Sequence, residues 1–335
     1  MRERGTSELS WVIACVLIVP AMVVLAARAA GGRPPDPVPR LAALAPPATV
    51  IAAGAVAAAA VARWWLALVF AVPAVILLCW QLPPAWRWHG PPGTGGDLGS
   101  AEAEGTVVLR VLTLNVLVAR ADPEAIMAKL REHRVDVFAV QELTPEMVTS
   151  LEAAGISALL PFSELDARPS SLGTGIWTRL PLDPLPPIAG LSTAAPRAHI
   201  HPCRGVPVQV SVVHPKAPTG GKEQRWLADL ELLRQMVAGV SEPQVVAGDF
   251  NATRDHQPFR AVLKEGLLDC ADAARKRSWP AFTWPNWRSL PPLMRLDHIL
   301  VSSQHFSVQQ ARVVRVPGTD HRGVLAVVTL RLPAP

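Results

Sequence analysis

Charge is missing from three long stretches near the N-terminus, and that gap constrains the fold more than any other feature. Leu9 to Ala27 holds 19 uncharged residues, Leu41 to Ala62 holds 22 and Trp64 to Trp86 holds 23. A helix needs about 20 apolar residues to cross the hydrocarbon of a bilayer. Backbone inside hydrocarbon must satisfy its own hydrogen bonds, which makes helices the expected form. Trp11, Trp64, Trp65, Trp80, Trp86 and Trp88 stand near the ends of the runs, where interfacial aromatics collect. The sequence thus predicts a membrane anchor over residues 1–82, with transmembrane helices at about 9–28, 43–62 and 64–82. The second run is mostly alanine and contributes the least transfer energy. Two alternatives are a buried helical hairpin and, for the first run, a cleaved signal peptide, since Ala-Ala-Arg-Ala-Ala follows it.

The rest of the chain has a different composition. Residues before Gly105 carry 7 Lys+Arg and 6 Asp+Glu, against 25 and 21 from Gly105 onward. Residues 83–105 are rich in Pro and Gly and read as a linker. Residues 106–333 are enough for a full α/β core. That part carries 25 positive against 21 negative residues, a net +4. Such a balance suits an anionic ligand without singling out nucleic acid. No Cys-x-x-Cys occurs among the four cysteines, so neither a zinc nor a redox motif is indicated.

Strand and helix patterns alternate through this domain. Val107 to Val118, Val135 to Val140, Val206 to Val213, Gln244 to Ala247, Ile299 to Ser302 and Gly323 to Leu332 read as strands. Helices open at Asp122-Pro123 and Thr144-Pro145, and a long amphipathic one covers Lys222 to Val240. The alternation predicts a mixed α/β sandwich. Polar residues sit where the strands end. Asn115 follows VLTL, Glu142 follows VFAVQ, His214 follows VSVV, and Asp249 and Asn251 follow VVAG. Asp297 precedes ILVS, and Asp320 and His321 precede RGVLAVV. One such residue is usually a turn former. Six strand ends in order, each bearing an acid, amide or imidazole, point to one catalytic rim.

The motifs LTLNV, VQEL, VVHPKAP, GDFNA, RLDHILVS and GTDHRGV resemble, in kind and order, those of the endonuclease/exonuclease/phosphatase superfamily. The resemblance covers about residues 106 to 333 and implies a DNase I-like, four-layered α/β sandwich. With three preceding spans the chain looks most like the VanJ-type glycopeptide-resistance membrane proteins of that superfamily. By this resemblance Glu142, Asn115 and Asp320 hold Mg²⁺, with Mn²⁺ as a substitute. Asp249 orients or deprotonates the attacking water, and Asn251 orients that residue or the phosphate. His321 contacts the phosphate with Asp297 on its other ring nitrogen, and His214 serves the leaving group. Arg197 resembles a phosphate clamp, for which Arg179 competes. Tyrosine is absent from the whole chain and Leu117 stands where some relatives carry a second acidic ligand. Both departures bear on substrate preference. Trp279, Trp284 and Trp287 suggest either a rim facing lipid or substrate, or plain loop packing.

Three functions follow as alternatives. The first is hydrolysis of a phosphate ester or pyrophosphate at the outer membrane face, on a lipid-linked cell-wall intermediate. The flanking arginines leave orientation undecided, and the resemblance places the domain outside. The second is a membrane-tethered nuclease, against which the weak charge counts. The third is a non-catalytic membrane binding protein with a degenerate site.

Overall fold

The fold is described from a computed structural model. It covers residues 2–32, 37–62, 64–81, 106–203, 205–277, 281–287 and 289–332. The expected linker, 83–105, lies outside the described residues, as does Trp279.

Four helices come first: α1 (Arg2–Ala29), α2 (Val38–Ala43), α3 (Ala45–Ala62) and α4 (Trp64–Gln81). α1 packs on α3 through Ala14, Ala21, Ala48 and Ala55, small residues that let the backbones approach. The expectation of three spans is corrected here. Among the described residues one helix, Glu8–Ala29, is long and apolar enough to cross a membrane. α3 falls short because its apolar stretch, Ala45–Val61, is brief and largely alanine. α4 has 18 residues, about 27 Å of helix at 1.5 Å per residue, slightly under the hydrocarbon thickness.

Two sheets form the remainder. The first contains β1 (Thr106–Asn115), β2 (Val137–Gln141), β3 (Phe162–Asp166), β4 (Thr174–Thr178), β10 (Lys276–Arg277), β12 (Phe306–Val314) and β13 (Gly323–Arg331), in the order β10-β12-β13-β1-β2-β4-β3. The second contains β5 (Leu182–Leu185), β6 (Arg197–Ile200), β7 (Val208–Val213), β8 (Gln244–Asp249), β9 (Leu267–Asp269) and β11 (Asp297–Ser302), in the order β5-β6-β7-β8-β11-β9. Alternate residues such as Val111, Ala139 and Ile176 from one sheet meet Val210, Ala247 and Ile299 from the other in a shared core. Helices cover both outer faces. α5 (Pro123–Glu132), α6 (Pro145–Ala153) and α7 (Ile156–Leu159) bury Ile126, Met147 and Ile156 on the first sheet. α8 (Glu223–Ala238) and α9 (Gln257–Lys264) bury Trp226 and Phe259 on the second, and α10 (Cys270–Ala273) adds Cys270 to the core between the sheets. The result is the expected two-sheet α/β sandwich with helices outside both sheets.

The pairing explains why one rim collects the polar residues. β1 runs parallel to β2, and β7 parallel to β8. β11 and β13 run antiparallel to β8 and β1, so their first residues lie beside the last residues of their partners. Asp297 pairs with Asp249 in that register. The first strand stops at Asn115, earlier than its apolar pattern suggests, because Leu117, Val118 and Ala119 take left-handed backbone. Two motif glycines have a steric cause. A Cβ on Gly248 would lie 1.9 Å from the Val213 carbonyl oxygen, and one on Gly318 would lie 2.0 Å from that of Arg120. Cys203 and Cys270 are free thiols.

Candidate active site

Asp249 is the hub of the rim. It is fully buried at the end of β8. Its Oδ1 accepts from the Asn251 backbone N–H at 2.8 Å, and its Oδ2 accepts from Asn115 Nδ2 at 3.2 Å. The Nε2 atoms of His214 and His321 both lie 3.6 Å from that Oδ2. Burial pushes this carboxyl up, but His321, His214 and the Asn251 amide outweigh it and bring Asp249 down to about 2. It is an anion at neutral pH.

Asn115 Nδ2 also donates to Glu142 Oε1 at 3.2 Å. Its own Oδ1 accepts from the Leu117 N–H at 3.0 Å, which the left-handed turn makes reachable. Glu142 and Asn251 likewise have positive φ, so both stand where a strand breaks sharply. Strained backbone of this kind persists where the surroundings fix it. Asn251 Nδ2 donates to the Pro215 carbonyl at 3.0 Å, tying this loop to the segment after His214.

His321 and Asp297 form the second half. The two groups share a 2.9 Å hydrogen bond between Nδ1 and Oδ2. Burial lowers the His321 pKa, yet Asp297 and Asp249 overcome that and push it up to about 10. Burial and the neighbouring Asp249 push Asp297 up, against the pull of His321. The imidazole is therefore a buried cation between two carboxyl groups. The loop at 283–286 braces this half. Thr283 Oγ1 accepts from the N–H groups of Leu296 and Asp297 at 3.0 and 3.3 Å. Asn286 Nδ2 reaches the carbonyls of Val316, Thr319 and His321 at 3.4, 3.1 and 3.3 Å. Trp284 Nε1 donates to Asp320 Oδ2 at 3.3 Å.

Eight of the nine residues singled out in the sequence thus reach this rim. Arg197 does not. Its Nη2 donates to Gln209 Oε1 at 2.9 Å and its Nη1 to the Pro186 carbonyl at 3.4 Å. Ala198 and Ile200 of the same strand face the inter-sheet core, so alternation sends Arg197 to the outer face. Arg179 is no substitute, since it binds the Val135 carbonyl and Asp136 at the far end of β2. Thr283 and Asn286 escaped sequence reasoning, and Trp284, read there as a rim or loop-packing residue, was not foreseen as a partner of Asp320, because these partners lie up to 36 residues away. Lys216 also escaped it. This half-buried lysine is close enough to feel the charge of Glu142, and it stands two residues after His214.

Two groupings compete for a metal. Asp249, Asp297 and His321 offer atoms within 4.8 Å of one another. The His321 imidazole of this group is already hydrogen-bonded to Asp297 through Nδ1. Glu142, Asn115 and Asp320 offer an oxygen-rich alternative, the donor type that suits hard divalent cations. Among the described residues Asp320 Oδ1 is buried with no hydrogen-bond partner, and so is Asp297 Oδ1 of the first grouping, each the kind of orphan a cation satisfies. The donor types of both groupings are compatible with a divalent cation.

Carboxylates, amides and imidazoles thus gather on one rim of the two-sheet sandwich. The sequence profile of the Endonuclease/Exonuclease/phosphatase family matches residues 112–321. The chain belongs to that family, whose members act on phosphate esters as phosphatases and nucleases and generally depend on a divalent metal. Comparison with curated protein sequences gives no match. Among solved structures, the chain is similar to a mannosyl-6-phosphatase from Bacteroides thetaiotaomicron VPI-5482 (19% identity, TM-score 0.50, covering 66% of this chain and 99% of that one). It is also similar to D. rerio TDP2 complexed with single-strand DNA product (17%, 0.53, 66% and 98%). A third is an AP endonuclease from Archaeoglobus fulgidus (17%, 0.54, 65% and 98%). At these identities the likeness is one of fold.

Proposed function

We propose that the protein is a Mg²⁺-dependent phosphoesterase, held at a membrane by α1 with α3 and α4 packed alongside, that hydrolyses a phosphate ester or pyrophosphate on a lipid-linked substrate. The observation that carries this reading is the convergence of Glu142, Asn115, Asp249, Asp297, Asp320 and His321 on one rim. Glu142, Asn115 and Asp320 would hold the cation, which when bound neutralises phosphate charge and acidifies water. Asp249, at about 2, is too weak a base to deprotonate ordinary water. It orients the attacking water through a hydrogen bond and takes its proton late. Asn251 fixes Asp249 through its backbone N–H. His321, a cation aimed by Asp297, donates to a phosphate oxygen and stabilises the charge that builds there. His214, whose Nε2 lies 3.6 Å from Asp249 Oδ2, donates to the leaving oxygen. Lys216 replaces Arg197 as the nearby positive charge on the substrate side.

Lipid linkage is supported by the apolar helix at the N-terminus and by the weak positive charge of the domain. The VanJ-type resemblance supports the same reading and is the sole argument for an outer-face, cell-wall setting. The test is phosphate release by the purified full chain from a lipid pyrophosphate, a nucleotide and plasmid DNA, each with Mg²⁺ or EDTA. Release from the lipid in Mg²⁺ alone is expected. Cleavage of DNA alone would transfer the chain to the nuclease reading. Orientation has its own test. A reporter enzyme active only outside the cytoplasm, fused after Pro335, should give signal, and signal from a cytoplasmic reporter alone reverses the topology.

A further inference from the structure

The membrane helix does not hang loosely from the domain. Where α1 ends, the Gly31 carbonyl accepts from the Gln257 N–H at 2.7 Å, and Arg28 pairs with Asp255. His256 is buried there, with Nε2 donating to the Pro39 carbonyl at 2.8 Å and Nδ1 accepting from the Thr253 N–H at 2.9 Å. A Cβ on Gly32 would come within 2.7 Å of the His256 ring, so the chain passes in direct contact. Ala43 at the end of α2 packs with Met294 and Leu296, flanked by Leu44, Trp284 and Leu293. The elbow between α1 and α3 is therefore wedged between two loops. One follows Asp249 and Asn251. The other leads into Asp297. Both belong to the catalytic rim.

Apolar surface continues outward from that wedge. Trp284 packs edge-on against Trp287 at 6.0 Å between ring centroids. Trp287 is 48% exposed and Leu290 46%, the only large hydrophobics of the domain besides Val118 and Phe162 to be so exposed among the described residues. Leu9, Val16 and Val19 of α1, Val50 and Val61 of α3, and Val69 and Val72 of α4 are exposed as well. Apolar area of that extent is not left facing water. An exposed tryptophan whose neighbour Trp284 packs by Ala43 of α2, just past the apolar helix α1, belongs at the headgroup level.

We infer that the loop around Trp287 and Leu290, together with the α1–α3 elbow, is a membrane-contact surface, and that it seats the mouth of the catalytic rim among the lipid headgroups. A phosphate carried by a lipid then reaches the site without leaving the bilayer surface, while a soluble ester must arrive from bulk. This inference rests on the membrane-anchored reading above and extends it to the domain itself.

The test uses the full chain in phospholipid nanodiscs. Cys15, Cys79 and Cys203 are replaced by alanine, while Cys270, whose thiol is buried and pushed up in pKa, stays unlabelled. Leu290→Cys carries an environment-sensitive fluorophore, and Ser241→Cys, before β8 at the opposite end from Asp249, serves as the control. Quenching of the label at 290 by brominated lipid, with the label at 241 reached only by aqueous iodide, is the expected result. Equal access of iodide to both labels would overturn the inference. This readout requires no turnover, so it fails or stands independently of the phosphoesterase reading. A second arm compares Leu290→Asp on phosphatidic acid in nanodiscs and on p-nitrophenyl phosphate in solution. The loss should be on the order of tenfold on the lipid, through lost local concentration, with the soluble substrate unaffected. Equal losses on both would show a loop that merely supports the fold, and would also overturn the inference.

Discussion

Replacing Glu142 by Ala is expected to lower turnover by about 10³-fold or more, with Asp249→Asn close behind, while the fold survives in both. Glu142 is half-buried, and among the described residues its side chain accepts a hydrogen bond from Asn115, which keeps Asp249 as a second acceptor. Truncation therefore breaks little structure and removes a carboxylate proposed to hold the cation. Asp249→Asn preserves shape but turns a water-orienting anion into a neutral amide between two imidazoles. Residues that act on one reacting group are not additive, so the double variant should be scarcely worse than the poorer single one. Arg197→Gln supplies the contrast. Its guanidinium holds Gln209 and the Pro186 carbonyl on the outer face, so its rate should stay within about twofold of the parent. Initial rates at saturating Mg²⁺, with circular dichroism as the folding control, give the comparison. Full activity in both Glu142→Ala and Asp249→Asn would take the catalytic role away from this rim.

Those expectations rest on a rim that was largely legible in the sequence, and the reason is geometric. Asn115, Glu142, His214 and Asp249 each follow an apolar run that could only be an interior strand. Residues after parallel strands of such a sheet must gather at one end. Asp297 and His321 open antiparallel strands, which brings them to the same end. Arg197 failed because membership of a strand does not reveal which face a side chain takes, and a one-residue offset decides it. The bracing role of Thr283, Trp284 and Asn286 was hidden for another reason, although the sequence marks Trp284 as a rim or loop-packing residue. Its hydrogen bonds join segments distant in sequence, and a Thr, a Trp and an Asn in a loop carry no periodic signal. The anchor was half legible. Missing charge marked the helices, but charge counts cannot weigh an alanine-rich helix against a leucine-rich one. Nor could they foretell that Gly31, Pro39 and Ala43 would seat the helices against the catalytic loops.

Asp297→Asn is expected to lower the melting temperature of the metal-free protein at pH 7 by on the order of 10 °C, and to flatten its dependence on pH. Asp297 and His321 are both buried, so removing one partner strands a cation, at a cost of about 3–5 kcal/mol. The sign follows from the direction of the shift. His321 binds its proton more tightly in the folded protein, at about 10, than an ordinary imidazole does at 6.5. The resulting stabilisation is present in full below pH 6.5, declines above it, and is gone once pH passes about 10. The parent should therefore lose stability between those limits, while the variant, lacking the nearest carboxylate, loses much less. The two melting curves should converge toward pH 10. The absence of tyrosine helps, because no phenol titrates in that window to obscure the imidazole. Thermal melts in EDTA at pH 6, 8 and 10, followed by circular dichroism in detergent, measure the difference. Parallel pH dependences in parent and variant would mean that His321 is not held as a cation by Asp297, and the role given to it on the phosphate would go with that.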